Sequence, residues 1–96
     1  MKEITKSELQ SLLSSEFKGF ILDTREPEEY EEGHINTAIL APWHSILEKV
    51  SGIKKDTPLI LYCRTGVRAI KSARLLEQAG FNNITLYTGS YQDWTA

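Results

Sequence analysis

The chain of 96 residues contains a single cysteine, Cys63, and only two histidines. One cysteine can form neither an internal disulfide nor a cysteine-rich zinc site. Two isolated histidines, His34 and His44, have no partners at ligand spacing, so we expect no metal and no cofactor. If the cysteine has a function, it therefore acts as a single thiol.

Long apolar runs and a surplus of positive charge are also lacking. No apolar stretch approaches the ~18 residues that a membrane-spanning helix needs. The first residues, Met1 to Ile4, do not resemble a signal peptide. A net charge of −2 provides no general basic field for nucleic acid. We therefore expect one cytoplasmic domain over residues 1–96, monomeric, with neither a membrane nor a nucleic acid as partner.

The charges that are present are unevenly placed along the chain. Residues 23–32 contain six acidic residues and one basic residue, and this pattern is typical of a solvated helix face. Residues 63–74 contain four basic residues and no acidic one, namely Arg64, Arg68, Lys71 and Arg74. The positive segment begins at the only cysteine, so a purely solvated face is a weaker interpretation for it.

Signals for strands and helices alternate along the chain. Short apolar runs predict strands at residues 20–22, 38–41, 58–62 and 84–87. Thr5 and Glu8 have the spacing of a capping box, Pro27 suits the first position of a helix, and a helix is predicted over residues 67–79 with Gly80 as its stop. A weaker pattern indicates a helix at residues 44–50. This alternation predicts a three-layer α/β domain, with helices on both faces of a mostly parallel sheet of four or five strands.

Cys63 directly follows the strongest predicted strand and precedes a short loop and a helix. Sites in such sheets gather at the carboxyl ends of the strands. Backbone N–H groups of a loop and a helix N-terminus bind anions and stabilise a thiolate, and Gly66 allows the loop to turn tightly. Arg64 and Arg68 add positive charge. We therefore interpret Cys63 as a nucleophile in an anion-binding loop rather than as a structural cysteine.

The length of this loop bears on the reaction. Tyrosine phosphatases need a cysteine and an arginine six positions apart, whereas Cys63 and Arg68 are five apart. A shorter loop favours a smaller reacting centre, such as a sulfane sulfur. A cysteine-dependent phosphatase or arsenate reductase stays open as an alternative, as does a persulfide carrier that acts only with a protein partner.

Four motifs together resemble the single-domain rhodanese (thiosulfate sulfurtransferase) family. They are the loop from Cys63 to Arg68, the segment Asp23-Thr24-Arg25, the segment Gly33-His34-Ile35, and Gly89 with Trp94. The resemblance covers nearly the whole chain. Two positions depart from the family pattern, because Thr37-Ala38 stands where Gly-Ala is frequent and Gly89-Ser90 stands where two glycines are frequent.

The resemblance implies sulfur transfer through a persulfide on Cys63. The donor would be thiosulfate or another persulfide, the acceptor a thiol or cyanide, and a sulfur-relay protein is an expected kind of partner. Arg64 and Arg68 would bind the anionic oxygens of the donor, while Thr65, Gly66 and Val67 would contribute backbone N–H groups. We expect Asp23, Arg25 and His34 to support the loops around the site rather than to react.

Overall fold

The computed structural model describes residues 1–96 and contains five strands, five α-helices and one turn of 3₁₀ helix. The strands are β1 (Lys2–Glu3), β2 (Phe20–Asp23), β3 (Ile39–Leu40), β4 (Leu59–Tyr62) and β5 (Ile84–Leu86). The helices are α1 (Lys6–Leu13), α2 (Pro27–Glu32), α3 (Ile46–Lys49), α4 (Val67–Gln78) and α5 (Ser90–Trp94), and the 3₁₀ turn is Trp43–Ser45. None of the helices is both long enough and apolar enough to span a bilayer.

All five strands form one parallel sheet in the order β1-β5-β4-β2-β3. The predicted α/β fold with four or five strands is therefore confirmed. The first strand was not predicted, because its two residues are exposed and carry no apolar signal. It forms because Lys2 and Glu3 pair with β5 and the N–H of Ile4 donates to the carbonyl of Leu86 at 2.9 Å.

Alternate residues of the central strands face two separate cores, one on each side of the sheet. On β4, Leu59 and Leu61 face a core that α4 covers, and Ile60 faces a core that α1 covers. Because side chains of a strand point alternately to opposite faces, a run of buried apolar residues requires helices on both sides. Ala73 of α4 and Leu9 of α1 are fully buried in these two cores, so the predicted three layers are present.

The helix signals are also found in the structure, with small shifts of their ends. Thr5 and Glu8 form the capping box of α1, and Pro27 is the first residue of α2. The helix predicted over residues 67–79 ends at Gln78, and Gly80 follows with a φ of 99°. The helix predicted at residues 44–50 is a 3₁₀ turn followed by the four-residue α3.

The start of β2 depends on a close approach between two backbone segments. The carbonyl oxygen of Pro58, just before β4, accepts the N–H of Phe20 at 3.0 Å. A Cβ atom at Gly19 would lie 2.1 Å from the same oxygen. Only glycine therefore lets the two central strands begin side by side.

We predict that Gly19→Ala destabilises the fold by about 2 kcal/mol or more, because the two central strands must separate to admit the methyl group. Gly52→Ala is the matched control, since a Cβ there meets no atom within 4 Å. Urea unfolding of both variants measures the difference. Equal midpoints for the two variants would contradict the proposed backbone contact.

Candidate active site

Cys63 lies at the carboxyl edge of the sheet, directly after β4, and only 1% of it is exposed. The loop of Arg64, Thr65 and Gly66 joins it to α4. The N–H of Gly66 donates a hydrogen bond to Cys63 Sγ at 2.9 Å. Gly66 has a φ of 111°, and a Cβ there would lie 3.1 Å from the carbonyl oxygen of Thr88. Glycine is thus required for the turn that points this N–H at the sulfur.

The last helix fixes the backbone of Cys63. Ser90 Oγ accepts the N–H of Cys63 at 3.1 Å and donates to the carbonyl of Tyr87 at 3.0 Å. The N–H of Tyr91 donates to the carbonyl of Cys63 at 2.9 Å, and that of Gln92 to the carbonyl of Arg64 at 3.1 Å. Ser90 has a φ of 60°, in the left-handed region. A serine at a position where the family often has glycine is the only sequence signal for this role.

Arg68, at the start of α4, forms a two-pronged ion pair with Glu29 of α2. Its Nη1 and Nη2 atoms donate to the two carboxylate oxygens of Glu29 at 2.7 and 3.0 Å. The hydrogen bonds from Arg68 lower the pKa of Glu29 to about 2, and Glu29 in turn raises the pKa of Arg68. The sequence pattern predicts Glu29 to be part of a solvated acidic face, and it contains no signal for this contact between the acidic and the basic segments.

Arg64 is placed differently from Arg68. Its side chain is exposed and takes part in none of the three ion pairs of the structure. It borders a polar cavity of about 550 Å³ beside the cysteine loop. The cavity is lined by Arg25, Glu29, Glu32, Arg64, Tyr91, Gln92 and Thr95. Arg64 is therefore the cation of the loop that is not paired with a carboxylate.

Asp23 and Arg25 form a buried network behind the loop. Arg25 donates to both carboxylate oxygens of Asp23 and, at 2.7 Å, to the carbonyl of Gly33. The hydroxyl of Tyr62 donates to Asp23 at 2.6 Å and accepts the N–H of Ile35 at 3.0 Å. Burial, followed by the bond to Asp23, raises the pKa of Tyr62 above its usual value, so its hydroxyl stays a donor.

The predicted site residues thus lie in three places. The loop from Cys63 to Arg68 contains the sulfur and the N–H group that donates to it. Asp23 and Arg25 lie behind the loop, with the guanidinium carbon of Arg25 4.3 Å from the ring centre of Tyr91. His34 is exposed, stacks on the Tyr30 ring at 3.7 Å and donates to the Tyr30 carbonyl at 2.8 Å, so it contacts α2 rather than Cys63. No group of three or more His, Cys, Asp or Glu side chains is arranged to hold a metal ion.

Comparison with known proteins shows the family of the chain. The family model described as a rhodanese-like domain matches residues 5–96. The chain belongs to the rhodanese family. A sulfurtransferase of Allochromatium vinosum is 30% identical over 94 residues, which cover 98% of this chain and 88% of that protein. The crystal structure of a rhodanese-like domain protein from Staphylococcus aureus is 31% identical, has a TM-score of 0.88, and aligns with 98% of this chain and 91% of its own.

These relatives confirm the resemblance and the fold that the four motifs implied. A putative sulfurtransferase of Bacillus subtilis is 29% identical over 89 residues, covering 93% of this chain and 86% of that protein. The chain is therefore a member of a rhodanese-domain family that includes sulfurtransferases.

We predict that the contribution of Glu29 to stability depends on pH. Its folded-state pKa of about 2 lies below the usual value of 4.5 for a glutamate. The stabilisation is therefore complete above about pH 5 and is lost as the pH falls toward 2. In urea unfolding, Glu29→Gln is less stable than the unaltered chain at pH 7, and the difference shrinks at pH 3. Glu28→Gln, on the exposed neighbour, is the control, and a difference for Glu29→Gln that is constant with pH would count against the ion pair.

We predict that Ser90→Ala destabilises the fold more than Ser90→Gly does, by about 1 kcal/mol. Both variants leave the buried N–H of Cys63 without its acceptor, which is unfavourable. Alanine also keeps the strained positive φ, whereas glycine relieves it. Urea unfolding compares the two with Thr88→Ala as an exposed control, and equal stability of the two Ser90 variants would show that the backbone there is unstrained.

Proposed function

We propose that Cys63 accepts a sulfane sulfur from thiosulfate or another persulfide donor and passes it to a thiol or to cyanide. The observation that carries this proposal is the hydrogen bond from the Gly66 N–H to Cys63 Sγ, within a domain of the rhodanese family. An N–H group that points at the sulfur stabilises the negative charge that a thiolate carries when it reacts.

The proposed reaction consists of two displacements on sulfur. The Cys63 thiolate attacks the outer sulfur of thiosulfate, the S–S bond breaks, and sulfite leaves with the electron pair. An acceptor thiolate then attacks the outer sulfur of the Cys63 persulfide and takes it away. Cys63 returns to the thiolate form, and cyanide as acceptor would yield thiocyanate. No oxidant or reductant is needed in either step.

The loop supplies two kinds of anion-binding group in this scheme. The N–H groups of Thr65, Gly66 and Val67 would hold the charge of the persulfide. The guanidinium of Arg64, which is exposed and unpaired, would bind the sulfonate oxygens of the donor. Both Nη atoms of Arg68 are already bound to Glu29, so Arg64 is the stronger candidate for first contact with the donor.

One relative supports a thiol as the sulfur acceptor. A thiosulfate:glutathione sulfurtransferase of Saccharomyces cerevisiae is 34% identical over 89 residues, covering 79% of this chain and 64% of that protein. A thiol acceptor therefore fits this chain better than cyanide as a physiological choice.

A persulfide carrier is the second candidate. A putative sulfur carrier protein of Bacillus subtilis is 27% identical over 93 residues, covering 97% of this chain and half of that protein. A carrier would form the same persulfide on Cys63 but turn over poorly with thiosulfate.

The phosphatase alternative is disfavoured by Glu29. Its carboxylate occupies the guanidinium of Arg68, the arginine that a phosphatase loop would need for phosphate. Turnover of an aryl phosphate by this chain would contradict this argument and favour the phosphatase alternative.

We predict that incubation with thiosulfate adds one sulfur atom, ~32 Da, to the intact chain and that cyanide removes it. Mass spectrometry of the intact protein measures both steps. Cys63→Ser is the matched control, because it differs by a single atom at the nucleophile. It should fold and gain no sulfur, and a mass gain in this variant would remove Cys63 from the mechanism.

A further inference from the structure

One exposed side of α4 is basic and leads away from the active-site loop. Val67, Lys71 and Arg74 are spaced four and three residues apart, so they lie on one face of the helix. Arg64 precedes the helix at the same end as Val67. All four side chains are exposed, and the three cations among them take part in no ion pair. We refer to these four residues, together with Trp43 and Leu47, as the α4 face.

The α4 face also contains apolar side chains. Val67 is 60% exposed and Leu47 46% exposed, and both are among the few large apolar side chains that face solvent. Trp43 is half-buried, and the Nζ atom of Lys71 lies 5.3 Å from its ring centre. Exposed apolar side chains beside exposed charged ones are typical of a protein-docking surface.

The acidic residues near this surface form no ion pair with its three cations. Glu29 is bound by Arg68 and Glu26 by His44. Glu32 lines the same cavity as Arg64, and Glu48 and Glu77 are exposed near Leu47 and Arg74. The α4 face itself contains three cations and no acidic residue, so it is the more positive side of the domain, while α2 is negative. With a net charge of −2 and a basic surface confined to one helix, the chain is poorly suited to a nucleic acid or an anionic membrane.

Burial of the thiol limits how a protein partner could reach it. Because Cys63 is 1% exposed, a partner thiol must enter on a narrow, extended segment. Val67 and Arg74 are about 10 Å apart along the helix axis, a distance that a few extended residues span. A segment lying along the α4 face would thus bring its thiol to the loop end of the helix.

We propose that the α4 face is the docking surface for an acidic protein segment that carries the thiol accepting sulfur from Cys63. This inference rests on the proposed function and names the partner class of the same site. The partner thiolate attacks the outer sulfur of the Cys63 persulfide, the S–S bond of the persulfide breaks, and Cys63 leaves as the thiolate. The sulfur and its proton move to the partner, so atoms and electrons balance.

The test uses two synthetic peptides of equal length that end in Gly-Gly-Cys-amide. One has glutamates before this ending, and the other has glutamines. Cys63 is first loaded with inorganic polysulfide, which makes the test independent of thiosulfate, and single-turnover transfer to each peptide is followed by mass spectrometry. We expect Lys71→Glu/Arg74→Glu to slow transfer to the glutamate peptide about tenfold, with transfer to the glutamine peptide changed by less than about twofold. Added salt should shrink the difference.

The control variant is Lys18→Glu/Lys54→Glu, which makes the same change in net charge at exposed residues before β2 and β4, on the opposite edge of the sheet. It should leave both peptides unaffected. The proposal is overturned if both double variants slow sulfur transfer to the glutamate peptide equally, or if Lys71→Glu/Arg74→Glu slows transfer to both peptides equally. It is also overturned if an oligonucleotide or anionic vesicles bind the α4 face more tightly than the glutamate peptide does. Turnover of thiosulfate with cyanide, measured in parallel, tests the proposed function separately and should be the same in all variants.

Discussion

The buried carboxylate of Asp23 is the point to which the rest of the site is tied. Asp23 is fully buried, and a charge in that position is tolerated only if its oxygens are paired and hydrogen-bonded. Arg25 supplies the opposite charge and Tyr62 a hydroxyl donor. Because β2 pairs with β4 so that Asp23 lies beside Tyr62, this network closes at the same strand ends that deliver Cys63. From Arg25 the contacts continue to the ring of Tyr91, whose N–H holds the carbonyl of Cys63.

The two arginines of the cysteine loop have different electrostatic environments. Arg68 is neutralised by Glu29 and joins α4 to α2, which fixes the far end of the loop. Arg64 projects into solvent beside a polar cavity. A loop with two free arginines would bind anions more strongly but would be held less firmly. The Glu29 contact thus lowers the positive potential at the loop and at the same time holds the end of the loop in place.

The elements and their order could be predicted because their signals are local. Apolar runs, a capping box and stop glycines each depend on a few neighbouring residues, and the motif around Cys63 was recognisable for the same reason. The partner of Arg68 could not be predicted, since Glu29 is one of six acids in its run and only the packing of α2 against α4 selects it. The role of Ser90 could not be predicted either. Its hydroxyl accepts the N–H of Cys63 only because Ser90 has a positive φ and lies beside the end of β4 in the fold. The strand β1 forms only by pairing with β5, which no local pattern reports.

The alternation of side chains along β4 explains why the thiol meets α4 at all. Cys63 continues the series of Leu59 and Leu61 and belongs to the core that α4 covers, whereas Tyr62 points to the opposite core and to Asp23. A shift of one residue in the register of β4 would turn the sulfur of Cys63 toward the core that contains the Asp23 network and the phenol of Tyr62 toward α4. The register of one buried strand therefore separates the Cys63 thiol from the network of Asp23 that lies behind the loop. The tight turn at Gly66 is then needed because α4 must begin on the face to which the sulfur already points.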